Sequence, residues 1–272
     1  MRRLPASAKL NLALVVGPSR PTGRHEVTTV LQRLDLADRI ALEPAEGLVV
    51  SGFAEDTLVR RALTALADAA GVPARWTVHI EKRIPVAAGL GGGSSDAATA
   101  LRLVNETLPR PLPPQAIGEI AGSLGADVPF FLAPGPQLGE RDGTTLTPVD
   151  LPQDYWVLLL LPRGVAKAST ESVYERFDTR QGEIGYPERR EALLRALEAV
   201  RGPEDLAALP SNDLASSPLA RQLVALGAFR ADVSGAGPAV YGLFSGRALA
   251  AVAQRRLRAL GRSWLTVPTW YF

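Results

Sequence analysis

Pro85-Val86-Ala87-Ala88-Gly89-Leu90-Gly91-Gly92-Gly93-Ser94-Ser95-Asp96 is the stretch on which the reading of the chain turns. Just before it, Trp76 to Glu81 alternates apolar Trp76, Val78 and Ile80 with polar Thr77, His79 and Glu81, the pattern of a half-buried strand. Just after it, Ala97 to Leu108 reads as a helix, with Ser94, Ser95 or Asp96 available as N-cap. Gly89, Gly91, Gly92 and Gly93 lack the Cβ atoms that would hold a large anion away from the backbone. Free N–H groups and the positive end of the helix dipole then favour phosphate. The stretch reads as a phosphate cradle, with a glycine hinge as the plain alternative. No lysine follows the glycines, so it is not a Walker loop. Counted from Gly89, the third glycine of a dinucleotide fingerprint would fall on Ser94, so that pattern fails too.

At 272 residues the chain can hold a large core, in one domain or more naturally two. A net charge of +2 is too small to imply nucleic acid or an anionic membrane as partner. With no cysteine, disulfides and thiolate chemistry are excluded. His25 and His79 are the only histidines, which excludes a multi-histidine metal centre. The longest apolar runs, such as Trp156 to Leu161, fall far short of the ~20 residues of a membrane span. Met1-Arg2-Arg3 could open a signal segment, but Lys9 and Asn11 interrupt the apolar run that should follow. A soluble, cytoplasmic protein, monomer or homodimer, is the expectation. Of 30 basic residues only Lys9, Lys82 and Lys167 are lysine, which singles them out for their compact ammonium.

Leu10 to Val16 reads as an early strand, and Gly17 to His25 as a loop carrying Arg20, Arg24 and His25. Val27 to Leu34 fits strand or helix. Asp38 to Leu42 and Leu48 to Ser51 look like two short strands separated by Pro44 and Gly47, and Asp56 to Ala70 like a helix stopped by Gly71-Val72-Pro73. A further helix spans about Pro114 to Leu124, with Gly125 placed as its C′ residue. Gln137 to Gly143 reads as loop. The domain boundary is expected near Pro152, giving domains 1–152 and 153–272. The second domain should hold a buried strand (Trp156 to Leu161) and helices near Thr170 to Phe177, Arg189 to Arg201 and Leu219 to Leu226. Strand, glycine turn and strand follow, then a helix (Ala248 to Leu260) and an edge strand (Trp264 to Tyr271). This order predicts an α+β fold with antiparallel sheets.

Asp127, in Gly125-Ala126-Asp127-Val128-Pro129-Phe130-Phe131, lies between a helix end and an apolar run, where it would be partly buried and could accept a hydroxyl proton. A turn aspartate bonding local backbone is the competing reading. Lys9 and Asn11 are two apart and share one strand face, opposite Leu10 and Leu12. A cation and an amide there could hold a substrate oxygen, or could simply face solvent. Ser234-Gly235-Ala236-Gly237-Pro238 is a second glycine turn. His25 is a loop histidine, and His79 reads as structural.

The pattern Pro-x-x-x-Gly-Leu-Gly-Gly-Gly-Ser-Ser-Asp-Ala-Ala closely resembles the nucleotide loop of the GHMP kinases. Further matching segments are Pro5–Leu12, Gly23–His25, Gly125–Phe131, Leu146–Pro152, Ser211–Leu214 and Ser234–Pro238. Together they span nearly the whole chain and resemble the branch whose acceptor is a cytidine-diphosphate-linked methylerythritol, in non-mevalonate isoprenoid synthesis. The resemblance implies a two-domain GHMP kinase fold, with a ribosomal protein S5 domain 2-like N-terminal domain and a ferredoxin-like C-terminal domain. It implies an ATP-dependent kinase in which Asp127 takes the proton of the substrate's 2-hydroxyl and Lys9 stabilises the charge. Pro85, Val86, Ala87, Ala88, Gly89, Leu90, Gly91, Gly92, Gly93, Ser94 and Ser95 would bind ATP, with Mg²⁺ bridging the phosphates. Asn11, Arg24, His25, Tyr174, Gly235 and Gly237 would face the small-molecule substrate. No protein ligand to the metal is singled out.

The chain departs from the family at several positions. Arg24 replaces a tyrosine that usually stacks on cytosine, although a guanidinium can stack on a base or pair with a diphosphate. Leu31 replaces another usual aromatic, Thr57 an asparagine, and Gln137–Gly143 the usual Gly-x-Gly-Glu turn. The rival readings are another GHMP kinase of homoserine or mevalonate type, a non-catalytic nucleotide-binding regulator, and an RNA-binding module.

Overall fold

The computed structural model describes residues 1–21, 23–165 and 169–269. Lys167, and the part of the expected last strand beyond Thr269, lie outside them. β1 (Arg2–Ser19) and β2 (His25–Pro44) form one long antiparallel hairpin. The apolar pattern underestimates both, because Lys9, Asn11, Thr28, Thr29, Gln32 and Arg33 are buried alongside the leucines and valines. Buried on both faces, these strands lose the in–out alternation that would announce them.

β2 is the hub of the first sheet. β3 (Val49–Ser51), β4 (Trp76–Glu81), β2, β5 (Gln137–Arg141) and β6 (Thr145–Pro148) lie in that order, and β1 also pairs with β2. Two expectations change here. The segments 38–42 and 48–51 are not neighbours, because the more apolar β4 lies between them and leaves the three-residue β3 parallel to it at the edge. Gln137–Arg141 is strand rather than loop, with Gln137, Leu138 and Gly139 buried against β2.

α1 (Leu58–Ala70), α2 (Gly92–Asn105) and α3 (Pro114–Leu124) cover one face of this sheet with a core that includes Val59, Leu63, Leu66, Leu101 and Phe130. Gly71 ends α1 with a left-handed φ of 64°. Gly125 closes α3 in extended conformation, φ 168°, rather than as a left-handed cap.

The second sheet runs β10-β7-β9-β8, all antiparallel: β7 (Trp156–Pro162), β8 (Arg230–Val233), β9 (Val240–Phe244) and β10 (Gly261–Thr266). Its helices are α4 (Thr170–Thr179), α5 (Tyr186–Ala199), α6 (Pro218–Ala225) and α7 (Arg247–Leu257). α5 begins three residues before the expected Arg189, with Pro187 in its first turn. The chain then returns to the first sheet, where β11 (Pro268–Thr269) pairs with β2.

The two sheets share a core. Leu10 and Leu12 of β1 pack with Leu90, Val157, Leu159, Tyr241 and Leu193. Within it, the Tyr241 hydroxyl donates to Leu12 O at 3.2 Å and accepts from Arg230 Nε at 3.3 Å. Tyr241→Phe removes both bonds and should cost about 1–2 kcal/mol, read as a lower urea midpoint. An unchanged midpoint would show that this hydroxyl does not tie the sheets.

Candidate active site

α2 starts at Gly92, five residues earlier than the sequence predicts, on Gly91 with φ 70°. Glycine's poor helix propensity hides this start. Ser94, Ser95 and Asp96 are therefore inside the helix and not caps; Ser95 N–H bonds Gly91 O at 2.9 Å, and Asp96 is buried against Lys82. The amides of Gly92, Gly93 and Ser94 precede the first intrahelical bond and are left for a ligand.

The loop ahead of α2 is bonded on both sides. Lys9 N–H donates to Leu90 O at 2.9 Å, Ala239 N–H to Ala88 O at 3.0 Å, and the Ser234 hydroxyl to Gly89 O at 3.0 Å. Two glycines make this closeness possible. A Cβ on Gly89 (φ 82°) would lie 2.3 Å from Ser234 O, and one on Gly91 would lie 2.9 Å from both Lys9 Cγ and Phe131 Cζ.

Lys9 is buried, not solvated. Its Nζ donates to Asn11 Oδ1 at 2.6 Å and stands 3.4 Å from Asp127 Oδ2. The Asn11 amide donates to Thr29 Oγ1 at 2.8 Å, whose hydroxyl donates to Ala13 O at 2.7 Å. This relay orients Asn11 so that its carbonyl faces the ammonium. Asn11 thus holds Lys9 while lining the cleft. Asp127, in the turn between α3 and a 3-10 helix at Pro129–Leu132, has a side chain 41% exposed, partly buried as expected, and lines the cleft.

The turn Ser234–Pro238 closes over this pair, with a Gly235 Cβ position 3.5 Å from Lys9 Nζ. Asn212 holds the turn by donating to Val233 O at 2.9 Å and Gly235 O at 2.7 Å. The far wall comes from the start of β2 and from α4. His25 Nε2 lies 2.7 Å from Asp178 Oδ1, and its ring stacks on Tyr174 at 4.7 Å and meets the edge of Phe177. Burial, and then the charge of Asp127, push the Tyr174 hydroxyl up to about 12. Arg24 pairs with Asp142 at 2.9 Å.

One cleft of about 910 Å³ joins these groups: Lys9, Asn11, Arg24, His25, residues 85–94, Asp127, Tyr174, Gly235 and Gly237 all line it. Of the residues expected at the site, Ser95 alone lies behind the lining. Sequence reasoning missed Asp142, Asp178, Thr29 and the partners of Lys82. Asp178, one helical turn beyond Tyr174, was findable by spacing; the others meet only in the folded chain. Among the described residues no group of three or more histidines and carboxylates gathers, and no helix is long and apolar enough to cross a membrane.

A family model described as the GHMP kinases N terminal domain matches residues 57–135, and one described as GHMP kinases C terminal matches 212–263. The 4-diphosphocytidyl-2-C-methyl-D-erythritol kinase of Geobacter sulfurreducens is 38% identical, covering 96% of this chain and 95% of that protein. Its counterpart from an Anaeromyxobacter species is 39% identical, covering 93% and 85%. A crystal structure of 4-(cytidine 5'-diphospho)-2C-methyl-D-erythritol kinase superposes with a TM-score of 0.79 at 33% identity, over 98% of this chain and 99% of that one. A crystal structure of mevalonate kinase, at 12% identity and a TM-score of 0.77 over 98% and 99%, shares the fold.

The steric position of Gly91 yields a direct test. Gly91→Ala forces Lys9 or Phe131 aside and strains a left-handed φ, and should weaken binding of a nucleoside triphosphate at least about tenfold in calorimetry. Wild-type affinity in a folded variant would mean that the close approach is not needed.

Proposed function

The chain belongs to the 4-diphosphocytidyl-2-C-methyl-D-erythritol kinases, within the GHMP kinases, and on that premise we propose the reaction it carries out. It transfers the terminal phosphoryl group of ATP to the 2-hydroxyl of 4-(cytidine 5'-diphospho)-2-C-methyl-D-erythritol, in non-mevalonate isoprenoid synthesis. The observation that carries this reading is the approach of Lys9 and Asp127, 3.4 Å apart, in the same cleft as a glycine-built helix N-terminus.

In phosphoryl transfer the protein mostly positions groups and stabilises charge. The amides at Gly92–Ser94, with the backbone of residues 85–91, hold the phosphates of ATP. Asp127 accepts the proton of the acceptor hydroxyl. Lys9, held by Asn11, faces the oxygen as it gains charge and the phosphoryl group as it crosses. Ser234–Gly237 closes the cleft above Lys9 and excludes water. Mg²⁺ neutralises phosphate charge when bound. Among the described residues no group of three or more carboxylates and histidines gathers, which fits an ion that would be carried chiefly by the phosphates. The cytidine end lies toward His25, Tyr174 and Arg24. Arg24, steadied by Asp142, presents a guanidinium to the base or the diphosphate in place of an aromatic ring.

ADP release with Mg-ATP and the cytidyl acceptor, beside mevalonate, homoserine and galactose, tests the assignment. Turnover with the cytidyl acceptor alone is expected; turnover only with a simpler alcohol would contradict it. Asp127→Asn should lower kcat by about 10² to 10⁴ with nucleotide affinity kept. Arg24→Ala should raise KM for the cytidyl acceptor about tenfold and leave KM for ATP unchanged; equal effects on both would remove Arg24 from the acceptor end.

A further inference from the structure

A buried ion bridge lies behind the cradle and takes no part in the chemistry described above. Asp38, on β2, is fully buried. Its Oδ1 accepts from Arg83 N–H at 2.5 Å and Ile84 N–H at 2.8 Å, and its Oδ2 accepts from Lys82 Nζ. The same ammonium donates to Asp96 Oδ2 of α2 at 2.8 Å. Asp96 Oδ1 is buried with no hydrogen-bond partner among the described residues. Lys82 reaches the edge of the cleft beside the Phe53 ring, 5.6 Å away, and its Nζ stands 3.1 Å from where a Cβ on Gly92 would be.

We infer that Asp38 and Asp96, joined through Lys82, are positioning residues for the nucleotide. The bridge fixes the start of the glycine loop against the first turn of α2, and so sets the spacing of the amides that hold the phosphates. This rests on the assignment of the cradle to ATP. Both ends of the segment 83–91 hang from one ammonium, the first through Asp38 and the second through Asp96. Stability alone does not call for such an arrangement. Two carboxylates sharing one cation in the interior lose hydration that their attraction returns only in good geometry, and apolar side chains often pack in such places at no loss. What the ions add is a fixed geometry.

Burial first, and then the charge of Asp38, push the Asp96 carboxyl up to about 7, against the pull of Lys82. Those two, from β2 and from the segment after β4, are the charged groups that act on it most. A polyanion at the start of α2 disfavours the ionised form further. Nucleotide binding should then take up a proton at Asp96, and affinity should fall as pH rises through 7.

The test is calorimetry of a magnesium complex of a non-hydrolysable ATP analogue with the full chain, alongside acceptor binding. Asp96→Ala should raise the nucleotide Kd about tenfold with acceptor Kd within twofold. Asp96→Asn, whose carbonyl still accepts from Lys82, should restore it to within about threefold at pH 6 and flatten the affinity between about pH 6 and 8. A folded Asp96→Ala protein with wild-type nucleotide affinity overturns the bridge. Should that variant not fold, an Asn variant with the wild-type pH slope overturns it equally. Wild-type protein that binds no nucleotide overturns the cradle assignment itself, which separates the two failures.

Discussion

Everything at the site depends on how closely the backbone at residues 88–91 is packed. On one side it bonds β1 through Lys9 N–H, and on the other the Ser234–Ala239 turn. These contacts join the first sheet to the second along the lining of the cleft. They are possible because Gly89 and Gly91 adopt left-handed conformations with no room for a side chain. The constraint that builds a phosphate site is thus the same one that ties the two sheets together there. A shift in either sheet would move the cradle relative to Lys9.

Charge is distributed around this junction by depth. Lys9 is sunk in β1, hydrogen-bonded to Asn11 and paired with Asp127, whereas Asp127 keeps much of its side chain open to the cleft. A cation held this way stays in the cleft wall, where the proposed reaction would bring the acceptor oxygen and the transferring phosphoryl group together. The Ser234–Pro238 turn sits over it, and Gly235 lets the backbone approach Lys9 and Asn11 closely. The aromatic and basic wall of His25, Tyr174 and Arg24 lies at the other end, anchored by Asp178 and Asp142. In the proposed reading, reaction and recognition are therefore built on different elements.

Much of this was legible in the residues. The cradle, Lys9, Asn11, Asp127 and the Ser234–Pro238 turn all carry local patterns, and the structure brings them to one cleft. What was hidden has a common cause in burial of polar groups. β1 and β2 read as shorter or ambiguous because Thr28, Gln32 and Arg33 lie inside among the apolar residues. The first turn of α2 read as loop because it is made of glycine. Asp96 read as a cap because its partners, Asp38 and Lys82, are brought to it by β2 and the end of β4. The position of β3 outside β4 is a sheet order that no local signal encodes.

In the proposed reaction Lys9 and Asp127 mark the point where one particular hydroxyl meets the terminal phosphate. That placement is tested most directly by ³¹P NMR of the product formed from Mg-ATP and a cytidyl acceptor labelled with ¹³C at carbon 2. The expected result is a new phosphomonoester signal coupled to the labelled carbon and free of the P–H splitting that an ester of a CH or CH₂ carbon would show, absent with Asp127→Asn. A phosphomonoester without that coupling, or inorganic phosphate alone, would contradict it.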